Sequence, residues 1–295
     1  MKTFFKQHPL ITYFALAYSI AWGLILIMNY VTRSGAFEGE GVLSEGVSSS
    51  LMLVWMAMLA GPTIAGLTMA RIVEGKKGLK RLVRSMFRWR VDIRYYAIAL
   101  LIFPGLLVLI MYSLTPFSSN YTPGLMIATG IAGGLIGGFF EEIGWTGFAL
   151  PKLQLKYTPF LASLILGFIH TVWHVFPDYL GGINFYGEFY FLHFLLWIIA
   201  LIAFRVIAVW IYDRSGSVLL AALAHGSFTG SQLVFGPPEA TAAQSVLWYG
   251  VFTFLVALFA VVVMVADQKL FFRKTGSKKH RKTFFNPVWA KTQRS

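Results

Sequence analysis

Two adjacent carboxylates, Glu141 and Glu142, close a run of glycine and apolar residues over 130–140. A carboxylate at bilayer depth is costly and marks a proton relay, an ion path or a catalytic group. Three histidines in other apolar stretches can join them. His170 and His174 stand four apart, on one face of a helix. His225 lies among small residues, Ala221-Ala222-Leu223-Ala224-His225-Gly226-Ser227, which permit close helix approach. One carboxylate can take a proton from water while an imidazole holds that water or serves the departing amine. A second imidazole can steady the oxyanion of a tetrahedral intermediate. Adjacent residues point about 100° apart on a helix, so the two glutamates divide into a base and a group that orients a helix or a histidine.

Other readings use the same residues. Both glutamates could simply pair with Lys152, Lys156 or Arg214. A proton-coupled transporter also uses Glu/His sets, but no internal repeat of the transporter kind is present. The histidine pair resembles half of a zinc site, yet Thr171 follows the first histidine where a zincin has its glutamate. Carboxylates and imidazoles together could still hold a divalent metal such as zinc, with Glu141, His174 and His225 as the set. His193 reads as a core histidine, and His8 and His280 as solvated ones.

The elements that must position these groups are transmembrane helices. The chain has 295 residues, of which 57% are hydrophobic and 13% charged, and its mean hydropathy is +0.67. That excludes an ordinary soluble domain. There is no cysteine, hence no disulfide, thiolate ligand or thiol nucleophile. The net charge of +13 sits in clusters beside apolar segments, which signals membrane orientation and contact with anionic headgroups, not nucleic acid. Apolar segments of membrane-spanning length fall at 10–31, 51–70, 95–114, from about 124 through the glutamates, and at 159–176, 189–210, 217–235 and 245–266. The fold class is therefore all-α and polytopic, with about eight transmembrane helices. A basic amphipathic interfacial helix is expected over 71–94, between helices 2 and 3. Residues 1–268 form one transmembrane domain, with a motif-bearing core at about 124–235 and a basic tail at 269–295. Residues 33–50 read as a solvated loop carrying Glu38, Glu40 and Glu45. Eight spans with both termini in the cytoplasm leave Arg33 as the one cation in an outside loop, against six of the 12 acids.

The stretch Glu141-Glu142-Ile143-Gly144-Trp145-Thr146-Gly147-Phe148-Ala149-Leu150-Pro151 resembles the first motif of the CPBP family of intramembrane proteases. These are relatives of the CAAX prenyl endopeptidases and of bacteriocin-processing or immunity membrane proteins. The family's second motif, an aromatic residue followed four residues later by histidine, matches the stretch ending Trp173-His174. Its third, a histidine followed four later by Asn or Asp, matches His225 to Thr229. The resemblance implies peptide-bond hydrolysis in the membrane by a glutamate-activated water, in a bacterial plasma membrane, on a membrane-associated peptide or protein. On that mapping Glu141 is the base and Glu142 positions it. His174 and His225 assist, and His170, Thr229, Trp145 and Thr146 are auxiliary. Three positions depart from the family pattern: Thr146 replaces a frequent Arg, His170 an aromatic, and Thr229 the Asn or Asp. They make a catalytically silent scaffold or immunity protein the alternative. A difference of depth also stands against convergence, because His174 lies about 22 Å along its helix and His225 about 12 Å along its own, at about 1.5 Å per residue.

Overall fold

The computed structural model describes residues 2–32 and 49–273. They form α1 (Lys2–Gln7), α2 (Pro9–Thr32), α3 (Ser49–Met86), α4 (Ile93–Leu114), α5 (Ile127–Gly144), α6 (Leu150–Leu153), α7 (Pro159–Tyr186), α8 (Tyr190–Ser215), α9 (Val218–Phe235), α10 (Ala242–Ala266) and α11 (Gln268–Phe271). Of the solvated loop expected over 33–50, residues 33–48 lie outside the described residues, as does the tail from 274 onward, while Ser49 and Ser50 open α3. Residues 269–271, assigned to the tail by sequence, belong to α11, which buries Leu270 and Phe271.

The protein is an all-α polytopic membrane protein. Seven of the described helices are long and apolar enough to cross a membrane. The span expected from about residue 124 is α5, which is not among the seven. Its hydropathy is lowered by glycines and the two glutamates, and it turns exposed Ile131, Leu135 and Phe140 outward while its glycines are buried. The second span and the basic helix expected after it are joined in α3. The backbone breaks at Gly75, with φ 69° and ψ −159°, a conformation open to glycine and almost nothing else. The basic segment stops at Met86 and not at residue 94. Asp92 caps α4, accepting from the Arg94 N–H at 3.0 Å, so that helix begins two residues earlier than its apolar run.

Prolines inside the helices show how the bundle is tied. Proline cannot donate to the carbonyl four residues earlier, and bare carbonyls are costly in a bilayer. Pro177 in α7 frees the Trp173 carbonyl, and the Trp22 indole donates to it at 2.9 Å. Pro104 in α4 frees the Leu100 carbonyl, which takes the Ser227 hydroxyl at 3.1 Å. The helix α7 thus runs ten residues past its expected stop before the proline, to Tyr186. Gly216 closes α8 in the left-handed region at φ 65°, its N–H donating to the Tyr212 carbonyl, and Ser217 caps α9.

Two apolar cores result. One joins α4, α8, α9 and α10 around Phe103, Phe204, Phe228 and Phe252. The other joins α2, α3 and α7 with the segment after the glutamates, around Tyr13, Met69, Trp145 and Trp173. The glutamates sit where they meet. Replacing the proline-compensating donors should each cost about 0.5–1.5 kcal/mol. Trp22→Phe and Ser227→Ala should therefore lower the thermal unfolding midpoint of the detergent-solubilised protein, and unchanged midpoints would contradict the tethering role.

Candidate active site

The helices α5 and α9 approach backbone to backbone. On α5 the small residues fall at Gly130, Gly134 and Gly138, and on α9 at Ala222, Gly226 and Gly230. A Cβ built on Gly226 would stand 2.7 Å from the Gly134 carbonyl oxygen, and one on Gly130 would stand 2.6 Å from that of Gly230. This is the small-residue geometry that lets helices pack closely without a hydrophobic driving force between them. It carries His225, within the same row, up to the end of α5. Immediately after α5, residues Trp145–Ala149 form a π-helical turn, a widened geometry frequent at functional sites. Both Trp145 and Thr146 point back one turn. The Trp145 indole donates to Glu141 Oε2 at 3.3 Å, and the Thr146 hydroxyl donates to Glu142 Oε2.

Glu142 is fully buried and its oxygens are filled. Arg205 on α8 grips it in a fork, from Nη1 to Oε2 at 2.8 Å and from Nη2 to Oε1 at 2.6 Å. With Thr146 and with His225 Nδ1 at 2.8 Å from Oε1, four hydrogen bonds meet this one carboxylate. The guanidinium, itself 0% exposed, also reaches His170 Nδ1, from Nε at 3.2 Å and from Nη2 at 2.8 Å. Sequence reasoning missed Arg205, placing it with the cations at cytoplasmic helix ends. The signal was present: a lone arginine with seven uncharged residues between it and Asp213 and a long apolar run before it is an intramembrane charge, which demands a partner. Of the three cations first considered for the glutamates, Lys152 is engaged with Glu74 and Arg214 with Asp267, and Lys156 is exposed. The Asp267 carboxyl, just beyond α10, is held below the usual carboxylate range by hydrogen bonds from Arg214 and Trp210 against the opposing effect of its burial.

Glu141 is less crowded. Its described hydrogen bonds all reach Oε2, from the Trp145 indole and from His170 Nε2 at 2.9 Å. His225 Nε2 stands 4.0 Å from the same oxygen, a gap too long for a hydrogen bond and suited to a bridging water. His170 is thus the imidazole bonded to Glu141. Its position about 16 Å along α7 also eases the depth mismatch computed for His174. His174 lies one turn further, its ring 5.2 Å from that of His170 and 5.0 Å from that of Trp197. Among the described residues neither glutamate bonds to His174 directly. Thr229 is half-buried one turn beyond His225, with no described hydrogen bond from its side chain to the cluster.

Glu141, His170 and His174 each offer one ligand atom within 4.8 Å of the others, a spacing that could hold a metal ion. The hydrogen bonding around His170 does not fit that role. A guanidinium only donates, so Nδ1 must accept from Arg205, and the ring proton sits on Nε2, donating to Glu141. A metal-bound imidazole shows the opposite pattern, giving its second N–H to an acceptor.

Residues 123–231, which carry both glutamates and all three site histidines, match the family described as type II CAAX prenyl endopeptidase Rce1-like. The chain is also similar to CAAX prenyl protease 2 of Methanococcus maripaludis, with 23% identity over 299 residues, covering 94% of this chain and all of that protein. Both matches support membership of the CPBP family of intramembrane proteases. It is accordingly a membrane protease, and the departure at Thr146 can be judged in that light. Where many CPBP members have an arginine, this chain places a hydroxyl on Glu142 and brings the guanidinium in from α8.

Removing one partner of a buried ion pair strands the other, at a cost of about 3–5 kcal/mol. Arg205→Met should therefore destabilise the protein by about that much. The double variant Arg205→Met/Glu142→Gln should recover most of the loss, read as unfolding midpoints in detergent. Additive losses would show that the two side chains act independently.

Proposed function

We propose that the protein is a glutamate-dependent intramembrane endopeptidase in which Glu141 is the general base. The observation that carries this is the asymmetry of the two carboxylates. Glu142 already accepts four hydrogen bonds, with an arginine fork among them, and has no capacity left for a water proton. Glu141 is held only through Oε2, so Oε1 can meet a water. His225 supports the same placement. Its Nδ1 hydrogen goes to Glu142, which leaves the Nε2 lone pair facing the gap beside Glu141. A water there donates one hydrogen to Glu141 and the other to His225, and its oxygen attacks the scissile carbonyl carbon. His174, with no described bond to either glutamate, has an N–H to give to the oxyanion. Glu141 then returns the proton to the departing amine as the C–N bond breaks.

The substrate is a membrane-associated peptide or protein. The archaeal relative's name, a CAAX prenyl protease, supports a chain anchored beside the bilayer by lipid. The cation clusters support both termini facing the cytoplasm in a bacterial plasma membrane. The departures at Thr146, His170 and Thr229 do not favour a silent scaffold, because Arg205 and His170 complete the polar network on the glutamates.

With a fluorogenic peptide bearing an apolar anchor, Glu141→Gln should lower kcat by about 10²–10⁴-fold while the unfolding midpoint stays near that of the parent. Full activity in Glu141→Gln would remove the assignment. The spacing of Glu141, His170 and His174 favours one rival, a metal hydrolase. For the glutamate reading, 1,10-phenanthroline should leave turnover unchanged and the purified protein should hold no stoichiometric zinc by elemental analysis. Reversible inhibition with zinc rescue would establish the rival instead.

A further inference from the structure

The second half of α3, beyond the break at Gly75, has a face that the proteolytic site does not use. Lys76, Lys80 and Arg84 recur every four residues and form one exposed row. Leu79, Val83 and Phe87 form the next row, with Val83 41% and Phe87 65% exposed. Together they line a shallow groove of about 580 Å³. Among the described residues none of the three cations is paired with a carboxylate. The nearby Glu74 is taken by Arg81 at 2.5 Å and by Lys152. Like charges four apart on a helix repel, so this row costs stability unless an anion lies along it. An apolar row bordering it, left exposed at a helix that leaves the bilayer, needs a chain to cover it.

The opposite face is docked on the protein. Leu82 and Met86 are buried. A Cβ built on Gly147, inside the π-helical turn after the glutamates, would stand 3.1 Å from Leu82 Cδ1. The Phe87 ring packs on Phe139, two residues before Glu141, at 6.2 Å between centroids. Just beyond, the Ser217 hydroxyl donates to the Arg88 carbonyl at 2.7 Å. Nothing lies within 4 Å of a Cβ built on Gly75. Glycine is there for its backbone angles, which turn the basic half of the helix away from the membrane-spanning half.

We propose that this groove is a binding site for one anionic phospholipid. The phosphate lies on Lys76, Lys80 and Arg84, and an acyl chain lies along Leu79, Val83 and Phe87. Charge selects the occupant, since three unpaired cations favour an anionic over a zwitterionic lipid. The apolar row selects a lipid over free phosphate. Bound lipid fills the outer face of the element whose inner face packs on the turn following the glutamates.

The test uses the full chain, delipidated in detergent and examined by native mass spectrometry. Titration with phosphatidylglycerol should give binding at least about tenfold tighter than phosphatidylcholine. Lys76→Gln/Lys80→Gln/Arg84→Gln should erase that preference, while Lys156→Gln, an exposed cation elsewhere, should keep it. Phe87→Ser should weaken both lipids alike. Equal binding of the two lipids by the parent protein would overturn the proposal, as would a preference that survives the triple substitution. Displacement of phosphatidylglycerol by inorganic phosphate at matched concentration would reduce the site to an anion site and overturn the lipid assignment. Because the readout is binding, failure here leaves the role of Glu141 standing, and inactivity of Glu141→Gln leaves the lipid site standing.

Discussion

The fully buried fork between Arg205 and Glu142 is the constraint around which the membrane interior is arranged. Two charges withdrawn from water cost more than their attraction returns unless every remaining donor and acceptor is satisfied. Here the surplus is absorbed by Thr146, His225 and His170, drawn from the π-helical turn, α9 and α7. The π-helical turn, α7, α8 and α9 must therefore all meet around this one ion pair. That requirement explains the close α5–α9 crossing, since a side chain on either glycine row would push His225 out of reach of Glu142. It also explains why α8 keeps an arginine, Arg205, inside its apolar run.

The same pair divides the labour between two adjacent and chemically identical residues. By saturating Glu142, Arg205 turns it into a fixed scaffold charge. By accepting from Arg205 on His170 Nδ1, that imidazole is committed to the tautomer that donates to Glu141. One guanidinium thereby sets the protonation pattern on both sides of the site. A basic carboxylate, oriented but not saturated, is what water activation needs. A metal ligand set would need the opposite tautomer.

Much of this was legible in the chain, and the misses have physical causes. Apolar periodicity and charge clustering revealed an all-α polytopic membrane protein, because lipid forces every backbone group into helices. The small residues around His225 foretold close packing. The proline at 177 did not end α7, because Trp22 compensates the freed Trp173 carbonyl; that donor lies 151 residues before Trp173, where local rules cannot see it. The start of α4 at Ile93 depended on a cap at Asp92, a signal inside a stretch that composition alone reads as uniformly basic. Arg205 was hidden by its own success: orientation rules score a cation by loop and do not ask what a cation inside a helix is paired with.

The history of position 146 follows from the same logic. A local arginine one turn after Glu142 would neutralise it from its own helix. With Thr146 there, the charge comes from α8, and the carboxylate is neutralised only when α5 and α8 are docked. The site's electrostatics then become a property of the assembled bundle and not of the motif. Local pairing would allow the glutamate segment to persist through loosening of the helices around it. Pairing across helices penalises that loosening by exposing a lone buried charge. The buried charge of Glu142, and with it the setting of the neighbouring Glu141, is thereby tied to the packing of α5 against α8.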